Sequence, residues 1–150
     1  MTPLRVNRDN VRIVLHQPRF PENIGAAARA MRNMGLRRLA VVQPENFIEE
    51  RVRMLATHVA GDVVDAITRF DSLADALADC QYVVGTTARL GGERQTVVSP
   101  PVMARRLVTI SQANEIALVF GPEDRGLTNA DIRLCHALVN IPTDAFASLN

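Results

Sequence analysis

A chain of 150 residues, 47% hydrophobic and 22% charged, has the size and composition of one globular domain, which excludes a disordered or fibrous protein. No apolar run approaches the roughly 18 residues that a membrane helix needs, and Met1-Thr2-Pro3-Leu4-Arg5 lacks a signal-peptide core, so the protein reads as cytoplasmic. The net charge is only +1, yet all 17 basic residues are arginine, the side chain whose fork grips phosphate through two hydrogen bonds.

Residues 1–10 are polar and read as an arm. Val11 to Leu15 is a short apolar strand, followed by the loop His16 to Glu22. Asn23 stands where a helix N-cap belongs, with Ile24 to Met34 as the helix and Gly35 as its C-cap. Leu39 to Val42 is a second strand, and residues 47–59 and 62–68 read as helices. Asp71 or Ser72 caps a helix through Ala78. Tyr82 to Val84 is a strand ending in Gly85-Thr86-Thr87-Ala88-Arg89, and a loop with Gly91-Gly92 follows. Pro100-Pro101 opens a helix to about Ser111. Ile116 to Phe120 is a strand that runs into Gly121-Pro122-Glu123-Asp124-Arg125-Gly126-Leu127. Asn129 caps a short helix to about Cys135, and Ala137 to Ile141 is the last strand, ended by Pro142.

Strands and helices alternate, and the strands are continuous apolar runs. That pattern predicts an α/β domain with a parallel sheet and helices on both faces. Thr86-Thr87-Ala88, Gly121-Pro122-Glu123 and Pro142-Thr143-Asp144 all follow strands, so they predict one shared ligand crevice at the carboxyl ends of the sheet. Gly121 can take backbone angles closed to other residues and leaves room for a ligand beside the main chain. No Gly-x-Gly-x-x-Gly or Gly-Lys-Ser/Thr loop is present, which argues against a dinucleotide or P-loop site. Between Ile24 and Pro44, Arg29, Arg32, Arg37 and Arg38 stand without an acid, a basic patch suited to a polyanion. Cys80 and Cys135 read as buried free thiols. His16, His58 and His136 have no metal-ligand spacing and read as non-functional, with no metal expected.

Three segments together carry a resemblance. They are Asn23-Ile24-Gly25-Ala26-Ala27-Ala28-Arg29-Ala30-Met31, then Phe120 to Leu127, then Ile141-Pro142-Thr143 leading to Ser148-Leu149-Asn150. In order and spacing they resemble the three motifs of the SpoU/TrmH-type RNA ribose 2′-O-methyltransferases of the SPOUT superfamily, closest to the TrmJ type, which methylates tRNA nucleotide 32 in the anticodon loop. The resemblance implies a trefoil-knotted α/β fold, S-adenosylmethionine as methyl donor, tRNA as substrate, and a homodimer with its sites at the subunit interface. It also implies a helix after Asn150 that completes the knot, so residues 1–150 read as one SPOUT domain truncated at its C-terminus.

Carried onto this sequence, the resemblance puts the methyl donor against Thr86, Thr87, Ala88, Gly121, Ile141, Ser148, Leu149 and Asn150. It makes Arg29 the central catalytic residue, with Asn23, Glu123, Ser148 and Asn150 beside it. A guanidinium stays protonated in a protein, so Arg29 is better suited to holding a phosphate and stabilising an alkoxide than to acting as a base. Asn23 is expected to cap its helix, Glu123 to hold Arg29 or a substrate hydroxyl, and Ala26, Ala27, Ala28 and Ala30 to make close helix packing. Arg19, Arg32 and Arg125 are candidate RNA-phosphate contacts. Aromatic residues make up only 4% of the chain, so phosphate and shape contacts should outweigh base stacking. Three other readings stay open: a catalytically silent RNA-binding module of the same shape, a methyltransferase of ribosomal RNA, and a small-molecule α/β enzyme.

Overall fold

The computed structural model describes residues 2–88 and 97–142. Within them seven strands form one all-parallel sheet: β1 (Val11–His16), β2 (Arg38–Val42), β3 (Thr68–Phe70), β4 (Tyr82–Thr87), β5 (Val97–Val98), β6 (Ile116–Phe120) and β7 (Ala137–Asn140). Their order across the sheet is β3-β2-β1-β6-β4-β7-β5. Parallel neighbours require crossovers, and the described helices are α1 (Pro21–Asn33), α2 (Glu49–Ala56), α3 (Gly61–Asp65), α4 (Leu73–Leu77), α5 (Pro100–Ile110) and α6 (Asn129–Ile132). None of them is long and apolar enough to cross a membrane.

The apolar strands are covered on both faces, as their lack of alternation predicts. On one face Ile13, Leu39 and Val41 pack with Ile24, Ala28 and Met31 of α1 and Val52 of α2. The β1–β6–β4 register aligns Ile13, Leu118 and Val84, so the cluster of Val84, Ile116 and Val139 under Met103 and Leu107 of α5 continues that face. Val14, Ala40, Val42 and Val119 turn the other way, against Leu73, Ala76 and Leu77 of α4. Val14, Val41, Val42, Val84 and Val119 are fully buried, each contributing on the order of 1.5 kcal/mol.

Helix α1 starts at Pro21 rather than Ile24. Proline at the first helical position already has the right φ and lacks an N–H that the helix would leave unpaired. Asn23 therefore lies inside the first turn and is not the N-cap. Gly35 does end this helix, with φ +78° and Leu36 N–H donating to Met31 O at 2.8 Å, the left-handed termination that favours glycine.

The stretch expected to be helical over 62–68 is shorter, because Thr68–Phe70 adds to the sheet edge beside β2. Three residues with a central arginine carry too little apolar signal to read as a strand. The helix of 47–59 contracts to Glu49–Ala56 and is followed by a 3-10 turn at His58–Ala60. Strand β4 runs on through Gly85, Thr86 and Thr87, because β7 pairs with it there. α6 is capped by Thr128, not Asn129, through a reciprocal box with Asp131. The polar arm is tied down where Asn7 N–H donates to the buried Ser111 Oγ at 2.8 Å and Asn10 Nδ2 to Ser111 O at 2.7 Å. Gly91-Gly92 lies outside the described residues.

Candidate active site

At the carboxyl ends of β1, β4, β6 and β7 lies a cavity of about 780 Å³. Thr86, Thr87 and Ala88 line it from β4, Gly121 from the end of β6, and Ile141 from beyond β7. The crevice expected of an open α/β sheet is therefore formed by those strand ends, although Thr143 and Asp144 lie outside the described residues. Helix α1 supplies the facing wall through Asn23, Ala26, Ala27 and Ala30. The alanines divide: Ala28 is buried, whereas Ala26 and Ala30 are exposed. Close helix packing falls instead to Gly25, where a Cβ would sit 1.9 Å from Val52 O of α2.

The loop after β1 and the loop after β6 lie side by side, joined by polar contacts along their length. Glu123 Oε1 accepts from Arg19 N–H at 2.8 Å, and Oε2 accepts from Phe20 N–H at 3.1 Å and Asn23 Nδ2 at 2.8 Å. An acid from a distant loop thus provides the anchor that Phe20, the residue preceding α1, cannot offer from its own side chain. Negative charge also suits a helix N-terminus. Burial raises the Glu123 carboxyl, but the bonds from Arg19, Asn23 and Phe20 outweigh it and hold the group below its ordinary range. Glu123 is committed to the start of α1. Arg29 makes no hydrogen bond or ion pair among the described residues, so the expected Glu123–Arg29 contact is not formed.

Gly121 does not adopt a left-handed φ. A Cβ there would meet Gly126 C at 2.4 Å and Leu127 N at 2.5 Å, so the missing side chain lets the loop fold back on itself. Gly126 N–H donates to Pro122 O at 2.9 Å to close that turn, and Gly126, at φ +68°, takes the left-handed conformation expected of Gly121. Thr86 is buried and its Oγ1 donates to Val119 O at 2.9 Å, fixing the spacing of β4 and β6 at the cavity floor. Thr87 O accepts from Ile141 N–H at 3.0 Å, which brings the third lining segment into place.

Only part of the four-arginine patch is paired. Arg32 and Arg37 both face Asp62, at 3.3 and 3.4 Å, and Arg38 pairs with Glu115. Acids distant in sequence supply what the segment lacks. Arg29 remains exposed. Arg19 bridges Glu45 at 3.3 Å and Asp124 at 3.1 Å. Arg125 donates to Gln17 Oε1 at 3.3 Å and is more than half exposed. Ser148, Leu149 and Asn150 lie outside the described residues.

Two residues that the sequence reading left apart come together. His16, at the end of β1, is 6% exposed and places Nε2 3.3 Å from Asp131 Oδ1. Asp131 gave no signal beyond its spacing from Thr128. Cys135 is buried and Cys80 half-buried, and neither is in a disulfide; burial pushes the Cys135 thiol up to about 12, far from reactive.

Residues 10–150 match the SpoU rRNA Methylase family. The chain belongs to the SpoU methylase family. Among SpoU-type relatives, the tRNA (cytidine/uridine/adenosine-2′-O-)-methyltransferase TrmJ of Pseudomonas aeruginosa is 43% identical over 144 residues, covering 95% of this chain and 56% of the relative. The crystal structure of TrmJ from Z. mobilis superposes with a TM-score of 0.85 at 34% identity, over 93% of this chain and 62% of that one. A probable methylase family protein of Haemophilus influenzae also gives 0.85, at 38% identity, over 94% of this chain and 59% of that one. The chain thus spans little more than half the length of the P. aeruginosa relative. Its doubly covered parallel sheet is the SpoU/SPOUT fold.

Proposed function

We propose that the protein transfers a methyl group from S-adenosylmethionine to a ribose 2′-hydroxyl of tRNA in the cytoplasm, with anticodon-loop nucleotide 32 as the expected target. The observation that carries this reading is the cavity at the ends of β4, β6 and β7. Its volume is that of a small-molecule site, and its mostly apolar wall suits a nucleoside. Thr86, Thr87, Ala88, Gly121 and Ile141 would hold the donor, with Ser148, Leu149 and Asn150 completing the set. Bound there, S-adenosylmethionine supplies an electrophilic methyl on a charged sulfur that departs as a neutral thioether.

The chain's own task is to align the ribose and manage the hydroxyl proton. Arg29, exposed and without an acid partner among the described residues, would hold the neighbouring phosphate and stabilise the developing alkoxide. Ser148 and Asn150 would offer hydroxyl and amide groups to the donor or the ribose. Glu123 is a positioning residue: ionised and tied to Arg19, Phe20 and Asn23, it sets the start of the helix that carries Arg29. Arg19, Arg32 and Arg125 would each exchange an acid partner for RNA phosphate. Arg29 is not among the residues lining its own cavity, which supports a homodimer in which one copy serves its partner's site. The family model's description favours ribosomal RNA as the second reading.

The test is incubation with radiolabelled S-adenosylmethionine and bulk tRNA, followed by mass-spectrometric mapping of the methylated nucleotide. A 2′-O-methyl group on an anticodon-loop ribose is the expected result. No transfer to tRNA alongside calorimetric binding of the donor would move the target to ribosomal RNA, and the absence of both binding and transfer would overturn the reading.

A further inference from the structure

We propose that His16 is a positioning residue: through Asp131 it latches the loop of residues 121–128 to the end of β1 and so sets the affinity of the cavity for its methyl donor. The inference rests on the reading of the cavity as the donor site. Asp131 faces two ways. Its Oδ2 accepts from Thr128 N–H at 2.9 Å, while its Oδ1 lies 3.3 Å from His16 Nε2. The carboxylate thereby joins the far end of the loop to the end of β1, just as Glu123 joins its near end to Asn23 and α1. Between the two joints, Glu123, Asp124, Arg125 and Gly126 line the cavity. A loop held at one end only would let those groups shift, and ligand affinity falls when the protein must first order its own site.

The remaining imidazole nitrogen identifies the form that makes the latch. His16 Nδ1 is buried without a hydrogen-bond partner, so the imidazole fits here as a neutral ring with its proton on Nε2, donated to Asp131. A proton on Nδ1 would be a buried donor with nothing to receive it. The charged groups facing the ring are Asp131 from α6 and Arg125 from the loop. Burial lowers the imidazole from its ordinary 6.5, Asp131 opposes this, and Arg125 reinforces it. Because the folded state disfavours the proton, the stabilisation from the neutral ring is fully present above pH 6.5 and is lost as the pH falls through the lower folded value, where a proton on the unpartnered Nδ1 strains the latch.

The test compares wild type, His16→Gln and His16→Leu by calorimetric titration with S-adenosylhomocysteine and by hydrogen exchange of the loop amides without ligand. Glutamine keeps a donor near the position of Nε2 and does not titrate. We expect His16→Gln to bind like wild type at about pH 7.5 and to lose no affinity as the pH is lowered through the range in which wild type weakens. His16→Leu should bind about tenfold more weakly at about pH 7.5, the scale of one lost hydrogen bond, and its Thr128 amide should exchange faster. Wild-type affinity in a folded His16→Leu, or Gln behaving like Leu, overturns the latch while leaving the donor site intact. No binding by wild type overturns the donor reading and the latch with it. Should His16→Leu not fold, an unchanged acid loss in His16→Gln alone is sufficient to reject the proposal.

Discussion

The side-chain amide of Asn23 donates to Glu123 Oε2 over 2.8 Å, between residues 100 apart in sequence. That bond is one of three through which a single carboxylate organises the start of α1. Two sequence motifs, each expected to act on a ligand, act first on each other. The cavity between them takes its shape from this contact.

Replacing Glu123 by Gln should therefore destabilise the protein by about 1 to 2 kcal/mol, since an amide cannot accept from three donors and its NH₂ would face N–H groups. The effect has a pH signature. The folded carboxyl sits below its ordinary 4.5, so the unfolded chain takes up protons first, and the stabilisation is present above pH 4.5 and lost as the pH falls through the folded value. Denaturant melts should show the gap between wild type and Glu123→Gln at neutral pH and its narrowing in acid.

Arg29 separates stability from function. It is exposed and unpaired among the described residues, so Arg29→Ala should change stability by less than about 0.5 kcal/mol. Methyl transfer should be abolished, while calorimetric affinity for S-adenosylmethionine stays close to wild type. Loss of cofactor binding would mean that the arginine belongs to the donor site instead.

Gly25 is a packing requirement. An added Cβ would lie 1.9 Å from Val52 O and 3.0 Å from Ala56 N, both backbone atoms that cannot swing aside. Gly25→Ala should force α1 from α2 and cost about 3 kcal/mol, the upper range of overpacking. Thermal unfolding measures it, with Ala26→Gly as the control at an exposed position of the same helix.

Thr57 holds φ 57° and ψ −178°, a region that is essentially reserved for glycine and costs of order 1 to 3 kcal/mol elsewhere. Its Oγ1 recovers part of this by accepting from Val59 N–H at 3.3 Å. Thr57→Gly should relieve the strain, lose that bond and gain unfolded-chain entropy, for a net stabilisation of about 0.5 to 1 kcal/mol. A lower denaturation midpoint would show that the Oγ1 bond outweighs the strain.

The parallel sheet was legible because its central strands are uninterrupted apolar runs, a pattern that survives any change of neighbours. Gly35 was legible for the same reason, and the cap expected at Asp71 or Ser72 falls on Ser72, whose side chain accepts from Asp75 N–H: a left-handed helix end and a side-chain cap are settled within a few residues. Hydrophobic burial and local capping are carried by the residues themselves. Strands β3 and β5 were not legible, since two or three residues gain strand geometry only from a partner already in place.

The charges were decided elsewhere. Asp62 and Glu115 pair with arginines that stand without an acid in sequence, and Glu123 serves a helix 100 residues away rather than the arginine within it. His16 and Asp131 are unremarkable until the chain brings them to 3.3 Å. An ion pair or hydrogen bond acts over a few ångströms between whichever groups the fold makes adjacent, so no periodicity announces it. Sequence alone determined which segments are buried and at which end of the sheet the cavity lies; tertiary structure alone decided which polar groups meet there.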